Sequence, residues 1–227
     1  MIDYLNYGKQ VQSIPKEPQS EIKVSTPKNL GWLEYKLNQT ELDYVWGCVN
    51  QRKERYNSQL VGNISDSYLL EDKNNWFYNN TIIPLIDQYE ISFKDLGKTV
   101  TSLELRSDDS KFLSYLLKSW WVNRQKQYEF NPCHHHKGVY SFVIWLKIPY
   151  EWEEQNKDNE SSSKSKGVFR FLYQNLHGEI NYSEYRLGKK YEGTMLFFPS
   201  KLDHLVYPFY NCEEDRISVS GNILLQA

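Results

Sequence analysis

The chain has 227 residues, enough for one large domain with a sizeable core, and its 27 Lys and Arg against 29 Asp and Glu leave a formal charge of −2, so no broad basic field invites nucleic acid. Three cysteines, Cys48, Cys133 and Cys212, with no Cys-x-x-Cys spacing argue against a disulfide framework. The opening MIDYLNYGKQ lacks the basic-then-apolar order of a secretory signal and no apolar run approaches a membrane span, so a soluble cytoplasmic protein without a membrane partner is expected.

Residues 1–30 are polar and carry Pro15, Pro18 and Pro27, which predicts an extended arm. The remainder, 31–227, reads as a single domain whose first part, 31–98, is helical. Gly31–Leu37 alternates and predicts a strand. Asn38-Gln39-Thr40-Glu41 has the form of a capping box, with Leu42, Val45, Trp46 and Val49 following at helical spacing, so a helix is expected to run to about Arg55. Gly62–Asp66 reads as a loop. Glu71–Tyr89 predicts a second helix, kinked or broken at Pro84. Thr99–Leu105 and Trp120–Asn123 read as strands, while Phe112–Leu117 is ambiguous.

Phe130–Pro149, FNPCHHHKGVYSFVIWLKIP, opens on His134, His135 and His136 and runs into the β-branched and aromatic segment Tyr140–Leu146. Read as one strand, it puts His134 and His136 on one face and His135 on the other. Glu151–Gly167 is charged, serine-rich and almost without apolar residues past Trp152, which predicts a solvated insertion between strands; a substrate-gating loop is the other reading. Short strands are then expected at Val168–Tyr173, Gly178–Tyr182, Gly193–Pro199, His204–Tyr207 and Arg216–Leu225. Together with the aromatic content of 18 Tyr, 7 Trp and 10 Phe, they suggest a mainly β, α+β protein built on a sandwich or barrel behind N-terminal helices.

The chemistry concentrates in few residues. An iron(II) oxygenase site needs three protein ligands on one face of an octahedron, with the other positions open. His134 and His136 supply two, and His204 in LFFPSKLDHLVYP supplies a third. The common form has a carboxylate at the second position, whereas His136 would make a set of three neutral imidazoles. The bland reading is a solvated turn or hydrogen-bonded histidines, and His177 in NLHGE is expected to be only structural or exposed. Arg216 and Ser218 share a strand face, and a guanidinium fork beside a hydroxyl suits a carboxylate. The bland reading there is an Arg216–Asp215 ion pair.

With those residues in view, the chain resembles the iron- and 2-oxoglutarate-dependent oxygenases of the prolyl 4-hydroxylase branch, and more narrowly the oxygenases encoded by tailed bacteriophages of cyanobacteria and marine bacteria. WWVNRQKQYEFNPCHHHKGVYSFVIWLKIPY, EGTMLFFPSKLDHLVYPFY and DRISVSGN carry the likeness, which covers roughly Trp120 to Ile223. It implies a double-stranded β-helix, or jelly roll, with the metal at its mouth. By that resemblance His134, His136 and His204 bind Fe(II), Arg216 and Ser218 hold the distal carboxylate of 2-oxoglutarate, and Asn123 makes a further co-substrate contact. O2 is the oxidant, and a substrate such as a peptidyl proline is hydroxylated with release of succinate and CO2. Location in a host cytoplasm would follow from phage origin. Cys133 reads as a packing residue. A cupin is the rival enzyme reading, disfavoured by Arg-x-Ser twelve residues past His204. A metal-binding jelly roll acting in virion assembly is the non-enzyme reading.

Overall fold

The alternating segments form two antiparallel sheets, seen in a computed structural model that describes residues 31–94 and 114–226. The large sheet contains β1 (Leu33–Lys36), β2 (Asp66–Leu69), β3 (Ser114–Gln125), β5 (Tyr140–Lys147), β8 (Thr194–Pro199) and β10 (Arg216–Gln226), in the order β1-β8-β5-β10-β3-β2. The small sheet contains β4 (Asn131–His134), β6 (Val168–Gln174), β7 (Ile180–Arg186) and β9 (Asp203–Val206), in the order β4-β9-β6-β7. With β1 and β2 set aside, the strands from β3 to β10 make two four-stranded sheets between which the chain repeatedly crosses. That connectivity is a jelly roll. The expected arm over 1–30 and the expected strand Thr99–Leu105 lie outside the described residues.

Asn38 caps helix α1 (Gln39–Asn50): its Oδ1 accepts from the Glu41 backbone N–H at 3.0 Å, and the Asn38 N–H donates to Glu41 Oε2 at 2.9 Å. Thr81 donates to the other oxygen of the buried Glu41 carboxylate at 2.8 Å, tying this helix start to the next helical segment. That segment passes through a π turn at Tyr78–Ile82 into α2 (Ile83–Ser92). Pro84 has no N–H to give to the preceding turn, and the wider turn absorbs the loss. The helical residues Val45, Val49, Phe77, Ile86 and Tyr89 cover the outer face of the large sheet, where Phe77 stacks on Trp120 at 5.2 Å.

Three expectations need correction. The first helix stops at Asn50 rather than near Arg55, because the following backbone pairs with β2: Lys53 N–H donates to Leu69 O at 2.8 Å, and Tyr56 N–H to Ser67 O at 2.8 Å. The second helical run begins after a break in which Asn74 and Asn75 both adopt positive φ, so Glu71 is not part of it. The histidines do not share a strand with Tyr140–Leu146. His134 ends β4 in the small sheet, and the chain turns through Gly138 before entering β5 in the large one. Gly138 has φ +106, and a Cβ there would lie 2.6 Å from the Ile223 carbonyl oxygen, so this crossing requires glycine.

Glu151–Gly167 is only partly the solvated insertion expected. A short helix, α3 (Trp152–Gln155), opens it. Gln155 bonds the Tyr210 backbone in both directions, at 2.8 and 2.7 Å, and buried Asn156 donates to Lys166 O at 3.0 Å. The apolar count missed these ties because they are polar side chain to backbone. Within the segment, residues 160–164 remain exposed.

Candidate metal centre and co-substrate pocket

The register of the small sheet sets His134 directly opposite His204 across the β4–β9 pair. The buried turn at Pro199–Ser200 brings the third imidazole. Ser200 O accepts the His136 backbone N–H at 2.8 Å, and Leu202 N–H closes the turn onto Pro199 O at 2.9 Å. The ring centroids lie 5.0 Å apart for His134–His136, 4.3 Å for His134–His204 and 5.0 Å for His136–His204. One ring nitrogen from each can be chosen so that all three lie within 4.8 Å of one another.

The second ring nitrogens explain the orientation. His134 Nδ1 lies 2.7 Å from Pro132 O, and His204 Nδ1 lies 2.9 Å from Leu202 O. A carbonyl accepts only from a protonated Nδ1, so Nε2 of both rings is the free donor to a metal. Burial pushes the pKa of all three histidines down, reinforced by the neighbouring imidazoles, to about 2 for His136 and about 3 for His204. They are neutral, as ligands must be. The donor set fits a divalent cation of intermediate softness, Fe(II) included. His135 does not join the three ligand candidates; its Nδ1 lies 3.0 Å from Asp203 Oδ1 among exposed side chains. His177 is exposed, and Cys133 is exposed rather than packed.

A cavity of about 380 Å³ opens against His134 and His136, lined in part by Trp121, Asn123, Asn131 and Asn222. Its opposite wall is the segment from Tyr56 to Ile64. The Trp121 ring lies 5.9 Å from the His136 ring and 5.8 Å from that of Tyr56. Asn123 is held by Ser67, whose hydroxyl donates to Asn123 Oδ1 at 2.6 Å. Sequence reading found Asn123 but missed Trp121, Asn222 and the Tyr56–Ile64 wall. Trp121 and Asn222 had a signal in their alternation with Asn123 and Ser218. The wall had none, because a short polar segment carries no period.

Arg216 lies deeper between the sheets, only 2% exposed, opposite Gln125 on β3, with Ser218 opposite Asn123. Gln125 Oε1 accepts from its Nη2 at 2.5 Å, and the Tyr150 hydroxyl accepts from its Nη1. The expected alternative, pairing with Asp215, does not occur: Asp215 accepts from Arg124 at 3.1 Å. Among the described residues Arg216 has no carboxylate partner. A buried, uncompensated guanidinium is costly, and an anionic ligand removes that cost. Arg216 does not line the cavity beside the histidines; Asn123 links the two regions through its cross-strand neighbour Ser218.

Residues 119–222, which hold the triad and Arg216, match the family model described as "Putative 2OG-Fe(II) oxygenase". This segment, somewhat under half of the chain, is similar to the 2-oxoglutarate-dependent oxygenases. Oxygenases of this family use Fe(II), 2-oxoglutarate and O2 together with a substrate, and the cofactors supply the oxidative chemistry. No curated protein matches the sequence. Among solved structures, a Pseudomonas putida prolyl-4-hydroxylase is similar at 13% identity and TM-score 0.48, over 87% of this chain and 94% of that one. A Burkholderia pseudomallei oxidoreductase of the 2OG-Fe(II) oxygenase family is similar at 14% and 0.45, over 82% and 80%. A Trichoplax adhaerens prolyl hydroxylase, solved with a hypoxia inducible factor peptide, is similar at 13% and 0.42, over 86% and 83%. Among the described residues no helix is long and apolar enough to cross a membrane.

Proposed function

We propose that this chain hydroxylates an organic substrate, a peptidyl proline being the candidate the family resemblance suggests, with conversion of 2-oxoglutarate to succinate and CO2. In this reading His134, His136 and His204 hold Fe(II). Arg216 and Ser218 hold the distal carboxylate of 2-oxoglutarate, and Asn123 contacts the co-substrate from β3. Gln125 and Tyr150 keep the guanidinium fork aimed. The single observation that carries the reading is Arg216, buried between the sheets with no carboxylate partner among the described residues, in the same fold that brings three neutral imidazoles together. A phage-encoded protein working in a host cytoplasm fits the same resemblance. Against a cupin-like or purely structural metal site, the fork has no role without an anion to bind.

The test is anaerobic addition of Fe(II) and then 2-oxoglutarate to metal-free protein. A visible charge-transfer band is expected on adding 2-oxoglutarate, followed by succinate on admitting O2. Tight Fe(II) binding with neither band nor succinate would favour the structural metal site.

A further inference from the structure

The geometry points to a substrate that brings hydrogen-bond acceptors and no positive charge, an acyl or carboxylate-bearing group steered by Asn222 and Lys137. This deepens the oxygenase reading and rests on it. The cavity beside the triad has no acidic side chain among its described lining residues. Two of its lining carboxamides have their oxygens engaged by hydroxyls: Ser67 donates to Asn123 Oδ1 at 2.6 Å, and Ser141 to Asn222 Oδ1 at 2.8 Å. Ser141 is itself fixed by Ser200 at 2.8 Å, so the Asn222 amide is set by a chain of hydroxyls that starts in the turn to which the His136 backbone bonds. With the oxygens used, each Nδ2 is left as a donor with no protein partner among the described residues, and both asparagines line the cavity; Asn123 is the co-substrate contact of the reading above, which leaves Asn222 for the substrate. Exposed Lys137 adds a cation at the rim and forms no ion pair among the described residues.

The metal set adds to this bias. Three neutral imidazoles leave a bound dication uncompensated, and a 2-oxoglutarate dianion only neutralises it, where a carboxylate ligand would have left the centre negative. An ammonium entering this cavity meets donors, a lysine and no counter-charge. It would lose its hydration with no carboxylate among the described lining residues to offset the charge. A carbonyl or carboxylate meets donors already aimed at it. Trp121 and Tyr56 supply an aromatic wall for the apolar part of the same molecule.

The experiment uses three probes that share one ring and differ in charge: phenylacetate, 2-phenylacetamide and phenethylamine. Each is titrated by calorimetry into the full chain, first metal-free, then loaded with redox-silent Zn(II) and saturated with 2-oxoglutarate. Phenylacetate and 2-phenylacetamide are expected to bind roughly ten-fold or more tightly than phenethylamine. Asn222→Asp should weaken both preferred probes, and Lys137→Glu, an exposed change that leaves the interior intact, should weaken phenylacetate while sparing 2-phenylacetamide. Phenethylamine binding as tightly as the amide, no binding of any probe, or an order untouched by Lys137→Glu and Asn222→Asp alike would overturn the inference. Binding of 2-oxoglutarate to the Zn(II)-loaded protein is measured separately. Its absence breaks the oxygenase reading, whereas the order of the probes in the metal-free chain speaks to the cavity alone.

Discussion

The two faces of β10 do different work from the same eleven residues. On one face Ile217, Val219 and Ile223 are buried against the helices with Phe77, Phe142 and Tyr89. Gly221 belongs to that face, and a Cβ there would sit 2.5 Å from the Phe142 ring, so its lack of a side chain is what admits the phenyl group. On the other face Ser218, Ser220 and Asn222 alternate into the space between the sheets, at the end of a strand that begins with Arg216. The first face is apolar and close-packed. The second keeps polar groups in an interior that a closed apolar core would have filled. One strand therefore stabilises the fold with its odd-numbered side chains and builds the site with its even-numbered ones. Stability and ligand affinity should be separable by mutation along it.

The largest effect should come from the packed face. Phe142→Ala removes a buried ring between β10 and the helices and should cost about 3–5 kcal/mol in urea unfolding. On the polar face, Arg216→Met should weaken 2-oxoglutarate binding by about 2–5 kcal/mol in calorimetry. The same variant should keep or raise the melting temperature, since it replaces a buried unpaired charge with an apolar chain. A parallel fall in stability would erase the distinction between the faces. In the metal set, His134→Ala or His204→Ala should abolish stoichiometric Fe(II) binding, while His135→Ala, whose ring faces Asp203, should leave it intact.

A pH titration sharpens the same contrast. The folded-state pKa values of His136 and His204 are depressed to about 2 and about 3 from an ordinary 6.5. Below 6.5 the unfolded chain takes up protons that the folded, metal-free chain refuses. Stability is therefore full above about pH 6.5 and falls as the pH drops toward 3, by up to about 1.4 kcal/mol per pH unit for each group. The urea midpoint of the metal-free protein should fall more steeply over that range than that of the His136→Ala, His204→Ala double variant. The smallest change concerns 151–167. Removing residues 160–164 alone should alter stability by no more than about 1 kcal/mol, measured by thermal melting. Asn156→Ala should cost more, because its side chain bonds Trp152 O and Lys166 O from a buried position.

Much of the site was legible from residue type and spacing. The capping box at Asn38 and Glu41, the strands from Val168 onward and the His134-x-His136 spacing follow from local chemistry, which acts over a few residues and leaves a period or a signature. What the structure alone decided involves partners far apart in the chain. The paired histidines reach His204 from the end of β4 and the turn after it, not from β5, because sheet membership depends on which strands hydrogen-bond across about 70 residues of sequence. Arg216 is free of Asp215 because Arg124, 91 residues earlier, takes that carboxylate. The Tyr56–Ile64 wall reaches the cavity through backbone pairing with β2, which no side-chain pattern encodes. Periodicity tells which side of a strand is buried. Only the tertiary register tells what it is buried against, and that contact is where the chemistry of this chain is set.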